Sequence, residues 1–205
     1  MSMEKYFVTA IGTDSGKTLA SAILAHAFGA DYWKPVQAGF PKDSDTVQNL
    51  LNDKLIIHPE SYVFKTPASP HAAAKMEDIT ISINKIKLPD HKNPLIIEGA
   101  GGLMVPLNNQ DLMIDLIYKL EAPVILIVNL YLGCINHSLL SLEALRQRKI
   151  PLKGIIFNGA PNKETEEIIL KKSESQLLLH IYPEPEINLS IIGKYARQLN
   201  KTWQL

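Results

Sequence analysis

Five continuous apolar runs, separated by stretches with apolar residues every three or four positions, set the strongest limit on the fold. The runs are Tyr6–Ile11, Leu95–Glu98, Pro123–Leu130, Leu152–Asn158 and Leu177–Tyr182, with a weaker one at Tyr32–Lys34. Continuous rather than alternating polarity suits strands covered on both faces. Helical spacing marks Lys17–Phe28, Asp45–Leu51, Asp111–Leu120, Ser138–Lys149, Glu164–Ser173 and Leu189–Leu199. Strand and helix in alternation predict an α/β fold, a mostly parallel, doubly wound sheet with right-handed crossovers. A chain of 205 residues fits one domain over its whole length, with residues 59–94 its least regular part. No repeat or linker interrupts it.

Composition narrows the setting. Lysine and arginine number 21 against 21 acidic residues, so net charge gives no reason to expect a nucleic-acid partner. The longest apolar stretch, 122–132, is broken by Asn129 and falls short of the roughly 20 residues a membrane span needs. The amino terminus lacks the shape of a secretory signal. Cys134 is the single cysteine and forms no internal bridge. These features predict a soluble, cytoplasmic chain.

In an open α/β sheet, ligands bind beyond the carboxyl ends of the strands. The first strand leads into Ala10-Ile11-Gly12-Thr13-Asp14-Ser15-Gly16-Lys17-Thr18 and then a helix. Strand, Gly-Lys-Thr, helix is the context of a phosphate-binding P-loop. Backbone N–H groups cradle phosphate oxygens, a lysine neutralises them, and a hydroxyl ligates Mg²⁺. The spacing is a variant: Ile11 stands five positions before Gly16, and a loop one residue longer starts at Ala10, where glycine is expected. That departure points away from ordinary GTPases and motor ATPases.

Further segments follow strands. Lys34-Pro35-Val36-Gln37-Ala38-Gly39 offers a cation fixed by the following proline, although so short a segment, taken alone, suits a surface turn better. Glu98-Gly99-Ala100-Gly101-Gly102 reads as a carboxylate ending a buried strand, followed by small residues that let a ligand approach. Asp45, in Ser44-Asp45-Thr46, opens a helix. Taken alone, it suits a helix-start charge better than a metal ligand.

The ordered set resembles the dethiobiotin synthetase family over nearly the whole chain. It comprises the variant P-loop, Lys34-Pro35-Val36, Ser44-Asp45, Ser69-Pro70-His71, Glu98 to Gly102, and Gly133-Cys134-Ile135-Asn136-His137. The resemblance implies an ATP- and Mg²⁺-dependent ligase that closes a cyclic urea on 7,8-diaminononanoate with CO₂. It implies Lys17 and Lys34 at the carbamate and transferring phosphoryl group, and Asp14 near the reacting amines. Thr18, Asp45 and Glu98 would hold Mg²⁺. The nucleotide would contact Asp14, Ser15, Gly16, Lys17, Thr18 and Leu19 of the loop, and Gly99, Ala100 and Gly101. Asn158 and Gly159, with Tyr182, Pro183 and Glu184, would surround its base. The resemblance further implies a homodimer in which Leu132, Gly133, Cys134, Ile135 and Asn136 of one subunit meet the substrate tail bound by the other. Ala38 stands where many relatives carry a hydroxyl that contacts substrate. The alternative is a regulatory or partitioning ATPase of the same P-loop branch, although such proteins often carry a second lysine early in the loop, and Ala10–Ser15 has none.

Overall fold

Parallel strands buried on both sides need helices on both sides, and the chain supplies them in order. A computed structural model describes residues 4–52 and 55–203. Its first half runs β1 (Lys5–Ala10), α1 (Lys17–Phe28), β2 (Asp31–Trp33), β3 (Val36–Ala38), α2 (Asp43–Leu51), β4 (Ile57–His58), β5 (Tyr62–Phe64) and α3 (Pro70–Met76). A 3-10 turn at Ile83–Lys85 leads to β6 (Leu95–Gly102) and α4 (Met113–Leu120). The second half comprises β7 (Val124–Asn129), α5 (Cys134–Gln147), β8 (Leu152–Asn158), α6 (Lys163–Ser173), β9 (Leu177–Ile181) and α7 (Leu189–Thr202).

Seven strands form one parallel sheet in the order β4-β2-β6-β1-β7-β8-β9, and β3 and β5 pair separately in parallel. The expected fold class holds. One core cluster, with Phe7, Ile97, Leu126 and Phe157, fills one face of the sheet. The other face, with Val8, Ile23, Tyr32, Ile96 and Tyr195, lies under α1, α2 and α7. Burying each such side chain contributes roughly 1.5–3 kcal/mol. The strand order switches direction around β1, which lies between β6 and β7, so the carboxyl ends of these strands form the natural ligand crevice.

Several expected boundaries move by one to four residues, and three of these shifts bear on the site. β6 does not stop at Glu98 but runs on through Gly99, Ala100 and Gly101 to Gly102, because β1 continues beside it and Ala10 pairs with Gly102 past a bulge. Glu98 therefore lies inside the strand. Helix α5 begins at Cys134 rather than Ser138, started by Gly133 in a left-handed conformation (φ 110°). Helix α2 begins at Asp43, two residues before the expected Asp45. The stretch expected to be irregular holds β5, α3 and the 3-10 turn, all too short for a periodic signal.

Candidate active site

The P-loop is tied down at Ser15, through both its side chain and its carbonyl. Ser15 Oγ donates to Asn129 Oδ1 at 2.8 Å, and Asn158 Nδ2 donates to the Ser15 carbonyl at 3.0 Å. These asparagines end β7 and β8 and are register partners. Asp14 takes the left-handed turn position (φ 53°) that glycine often fills. Gly16 does likewise (φ 86°), and a Cβ there would lie 2.4 Å from Asn158 Nδ2. Ala10 stays in ordinary strand geometry at the end of β1, so the missing loop glycine imposes no strain. Helix α1 then begins with no side-chain cap and no acidic residue in its first turn. Its unpaired N–H groups and the positive end of its dipole are left for an anion.

Beside this helix start opens a cleft of about 850 Å³, within the usual range of small-molecule sites. Asp14, Ser15, Gly16, Lys17 and Thr18 line it together with Lys34, Ala38, Glu98, Ala100 and Gly101. Phe40, Pro41, Pro67, Pro70 and Val105 add an apolar wall.

The charges inside form a connected set. Lys34 is 3% exposed, and its Nζ donates to Glu98 Oε1 at 3.1 Å, to Asp43 Oδ2, and to the Gly99 carbonyl at 3.4 Å. Thr18 Oγ1 lies 3.0 Å from Glu98 Oε1 and 3.1 Å from Asp43 Oδ1. Burial alone would lower the Lys34 pKa, but the Glu98 and Asp43 carboxylates outweigh it and hold the ammonium above its ordinary value. Lys17 behaves oppositely. Burial and then the Lys34 charge push its pKa down, and its Nζ folds back to the Gly12 carbonyl at 3.2 Å. Tyr32, buried on β2, donates from its hydroxyl to Glu98 Oε2 at 2.9 Å. Burial and then Glu98 hold that phenol well above the usual range, so it stays protonated and donating.

The oxygen set formed by Thr18, Asp43 and Glu98 is the donor chemistry of Mg²⁺, which takes one or two carboxylates and completes its shell with water and phosphate. Among the described residues no cluster of three or more His, Cys, Asp or Glu forms a protein-only metal cage.

Two acids exchange places relative to expectation. Asp45, expected at the metal, is exposed and faces a separate groove between α2 and the start of α7. Asp43 reaches Thr18 and Lys34 instead. The missed signal is periodicity. Asp43, Val47 and Leu51 share one helix face, and the last two are fully buried, whereas a two-residue step turns Asp45 about 200° away. Gln37 was also missed. Its side-chain oxygen accepts from the Asp43 N–H at 3.2 Å and its amide donates to the Gly39 carbonyl at 3.0 Å, bracing the turn into α2.

Other expected residues lie off this cleft. The Leu19 side chain packs on the core beneath α1, and Gly99 faces Phe7, contributing its carbonyl to Lys34. Asn158 touches the P-loop, but its amide is engaged by the Ser15 carbonyl, and Gly159 lies against Leu130. Tyr182 is exposed and stacks parallel on His180 at 4.3 Å. Pro183 is exposed, while Glu184 accepts from Lys194 at 2.7 Å and Tyr195 at 2.6 Å. Leu132, Gly133, Ile135 and Asn136 are exposed, Cys134 is buried as a small core residue, and none lines the cleft of its own chain.

This geometry agrees with what related proteins are. The chain is 54% identical over 204 residues to the ATP-dependent dethiobiotin synthetase BioD of Cytophaga hutchinsonii, covering 98% of this chain and 99% of that one. It belongs to the dethiobiotin synthetase family. The protein of the same name from Christiangramia forsetii is 45% identical over 201 residues, covering 97% of each chain. A family model described as an AAA domain matches residues 4–189. Solved structures share the fold at much lower identity. A ParA family ATPase from Chlorobium tepidum TLS superposes with a TM-score of 0.60 at 14% identity, covering 98% of this chain and 96% of that one. The MinD cell division protein of Aquifex aeolicus gives 0.57 at 13%, covering 97% of each.

Proposed function

We propose that this chain is an ATP- and Mg²⁺-dependent cyclo-ligase that converts 7,8-diaminononanoate and CO₂ into dethiobiotin, with ADP and phosphate as products. The observation that carries the reading is a buried ammonium, Lys34, fixed between two carboxylates and sharing a cleft with an uncapped Gly-Lys-Thr helix start. Phosphoryl transfer to a carbamate brings two anions together, and it is eased by fixed cations more than by a strong base.

One amine of the vicinal diamine adds to CO₂ and loses a proton, giving a carbamate. A carbamate oxygen attacks the γ-phosphorus of ATP, and ADP leaves. The second amine then attacks the carbonyl carbon of the carbamic–phosphoric anhydride. Phosphate departs with the C–O electron pair, and a five-membered cyclic urea closes. In this reading, the N–H groups at the start of α1 and Lys17 hold the phosphates. Lys34 stabilises the carbamate and the phosphoryl oxygens. Asp14, at the exposed end of the loop, draws the diamine's ammonium groups. The apolar wall at Phe40, Pro67 and Val105 suits the alkyl chain, and Ala38 offers it a methyl instead of a hydroxyl. Thr18, Asp43 and Glu98 would hold Mg²⁺, which offsets phosphate charge when bound. Asn158, Gly159, Tyr182, Pro183 and Glu184 would surround the base in this reading.

The substrate's carboxylate tail would meet a second copy of the chain. Support comes from the exposed Tyr131, Leu132, Ile135 and Leu140 around the uncapped start of α5, a surface apolar enough to be an interface. A cytoplasmic setting fits ATP as co-substrate and a lone, unpaired cysteine. Among the described residues no helix is long and apolar enough to cross a membrane. The deciding experiment measures phosphate release from ATP with and without the diamine and bicarbonate. Release that depends on both, with a cyclic urea in the product by mass spectrometry, supports the ligase. Equal release without the diamine rejects it in favour of a stand-alone ATPase.

A further inference from the structure

Glu98 has two oxygens, and they are committed to different surroundings. Oε1 faces the cleft, 3.0 Å from Thr18 Oγ1 and 3.1 Å from Lys34 Nζ. Oε2 points back into the protein, where among the described residues Tyr32 is its one donor, at 2.9 Å. The sheet register makes this pairing specific. Tyr32 lies opposite Ile96 on β6, and Glu98, two residues on, shares the face of Ile96. The phenol is fully buried, and its ring packs in the core beneath α1. It cannot swing away without emptying that core, so it fixes the rotation of the carboxylate about its last bond.

A carboxylate held in this way presents one oxygen to an ion, not two. Mg²⁺ is small and octahedral and takes carboxylate oxygens singly. Ca²⁺ takes six to eight oxygens, often with both oxygens of one carboxylate. We propose that Tyr32 is a positioning residue that makes the site prefer Mg²⁺ over Ca²⁺ by restricting Glu98 to single-oxygen ligation. The inference rests on the Mg²⁺-nucleotide reading given above. It adds a determinant of metal choice that touches neither metal nor nucleotide.

Tyr32→Phe keeps the ring and removes the donor. The test measures the affinity of wild type and variant for adenylyl imidodiphosphate by calorimetry in EDTA, in Mg²⁺ and in Ca²⁺. In EDTA the two proteins should bind alike, because the phosphate loop is untouched. The tightening produced by Mg²⁺ should fall by about 10-fold, the low end of the ~10–100-fold cost of losing an outer hydrogen bond to a metal ligand. The tightening produced by Ca²⁺ should fall less or rise, so the Mg²⁺/Ca²⁺ preference narrows. Equal losses for both ions, or no loss for either, overturn the role of Tyr32 and leave the ligase reading standing. A wild type whose nucleotide affinity ignores Mg²⁺ overturns both. Should Tyr32→Phe fail to fold, 3-fluorotyrosine at position 32 keeps ring and hydroxyl and strengthens the donor. The preference should then widen, and an unchanged preference counts against the proposal.

Discussion

Lys34 is the side chain whose removal separates the electrostatic account of this site most sharply from a passive one. Its ammonium pairs directly with Glu98, 1% exposed, and Asp43, whose side chain is 33% exposed. Lys34→Gln leaves both carboxylates with hydrogen bonds but no direct ion pair and, among the described residues, only Lys17 as a neighbouring positive charge. Breaking a buried pair by removing one member costs ~3–5 kcal/mol, and partial exposure of Asp43 argues for the lower end, about 3 kcal/mol. At about 2–4 °C per kcal/mol for a chain of this size, the melting temperature should drop by roughly 6–12 °C. A divalent cation between the same carboxylates replaces the lost charge, so Mg²⁺ with nucleotide should restore more stability to the variant than it adds to wild type. The pH dependence has a definite sign. A lysine whose folded pKa lies above 10.5 contributes its stability fully below that value and loses it as pH rises through the folded pKa. The stability gap between the two proteins should therefore be flat through neutral pH and close only above about 10.5. In turnover, loss of one fixed cation at a transferring phosphoryl group should lower kcat by about 10²–10³, or ~2.7–4 kcal/mol of barrier, with little change in ATP affinity. Urea titrations with and without Mg²⁺-nucleotide, together with steady-state rates, read all of this. A variant as stable as wild type and within a few-fold of its kcat would refute the reasoning.

Lys17→Met should raise the stability of the nucleotide-free protein by about 0.5–2 kcal/mol in urea unfolding while abolishing ATP binding, since a depressed pKa marks a charge kept at a cost for function. The wild-type protein should accordingly gain stability as pH rises from the folded Lys17 pKa towards 10.5, a slope absent in the variant. Asp43→Asn should raise the Mg²⁺ concentration needed for half-maximal turnover by at least about 10-fold. Asp45→Asn should leave it unchanged, and the reverse result would return the metal role to Asp45. If the active site is shared across a two-fold, mixing a Lys17→Ala chain with one carrying bulky substitutions at Gly133 and Asn136 should restore about a quarter of wild-type activity. No recovery despite subunit exchange, shown by mass spectrometry of tagged chains, would confine the loop to its own subunit.

Much of the fold was legible because its parallel strands are long and continuous. Tyr6–Ile11 and Leu152–Asn158 need only an apolar count and a flanking turn. Three-residue strands such as β3 and β5 leave no periodic trace and exist because each pairs with the other. Glycine-rich 99–102 reads as a loop until a neighbouring strand is known to reach it, since β pairing is a property of two segments. The P-loop, Lys34 and Glu98 could be found from local motifs. Asn129 and Tyr32 could not, because their partners are 114 and 66 residues away. Asn129 did leave one mark: it is the polar residue that breaks an otherwise apolar strand.

The distant structural neighbours show where chemical individuality resides. A ParA family ATPase shares the fold at 14% identity, so the fold alone does not specify a ligase. What it supplies is an anion site at the start of α1 and a crevice beyond β1 and β6. The part of the lining that the proposed reading gives to the second substrate comes from the turn from β2 through β3 and the entry to α3, which supply Lys34, Ala38, Phe40 and Pro70. Lys34 and Asp43 flank β3, so the fixed cation and one carboxylate of the proposed metal site come from the same short excursion out of the main sheet. Its position is held by Gln37 bonding the start of α2, by β5 pairing with β3, and by Lys34 bonding Glu98 and the Gly99 carbonyl on β6. On the proposed reading, changes confined to residues 34–43 and 62–70 would alter the second-substrate side of the cleft while leaving the phosphate loop intact.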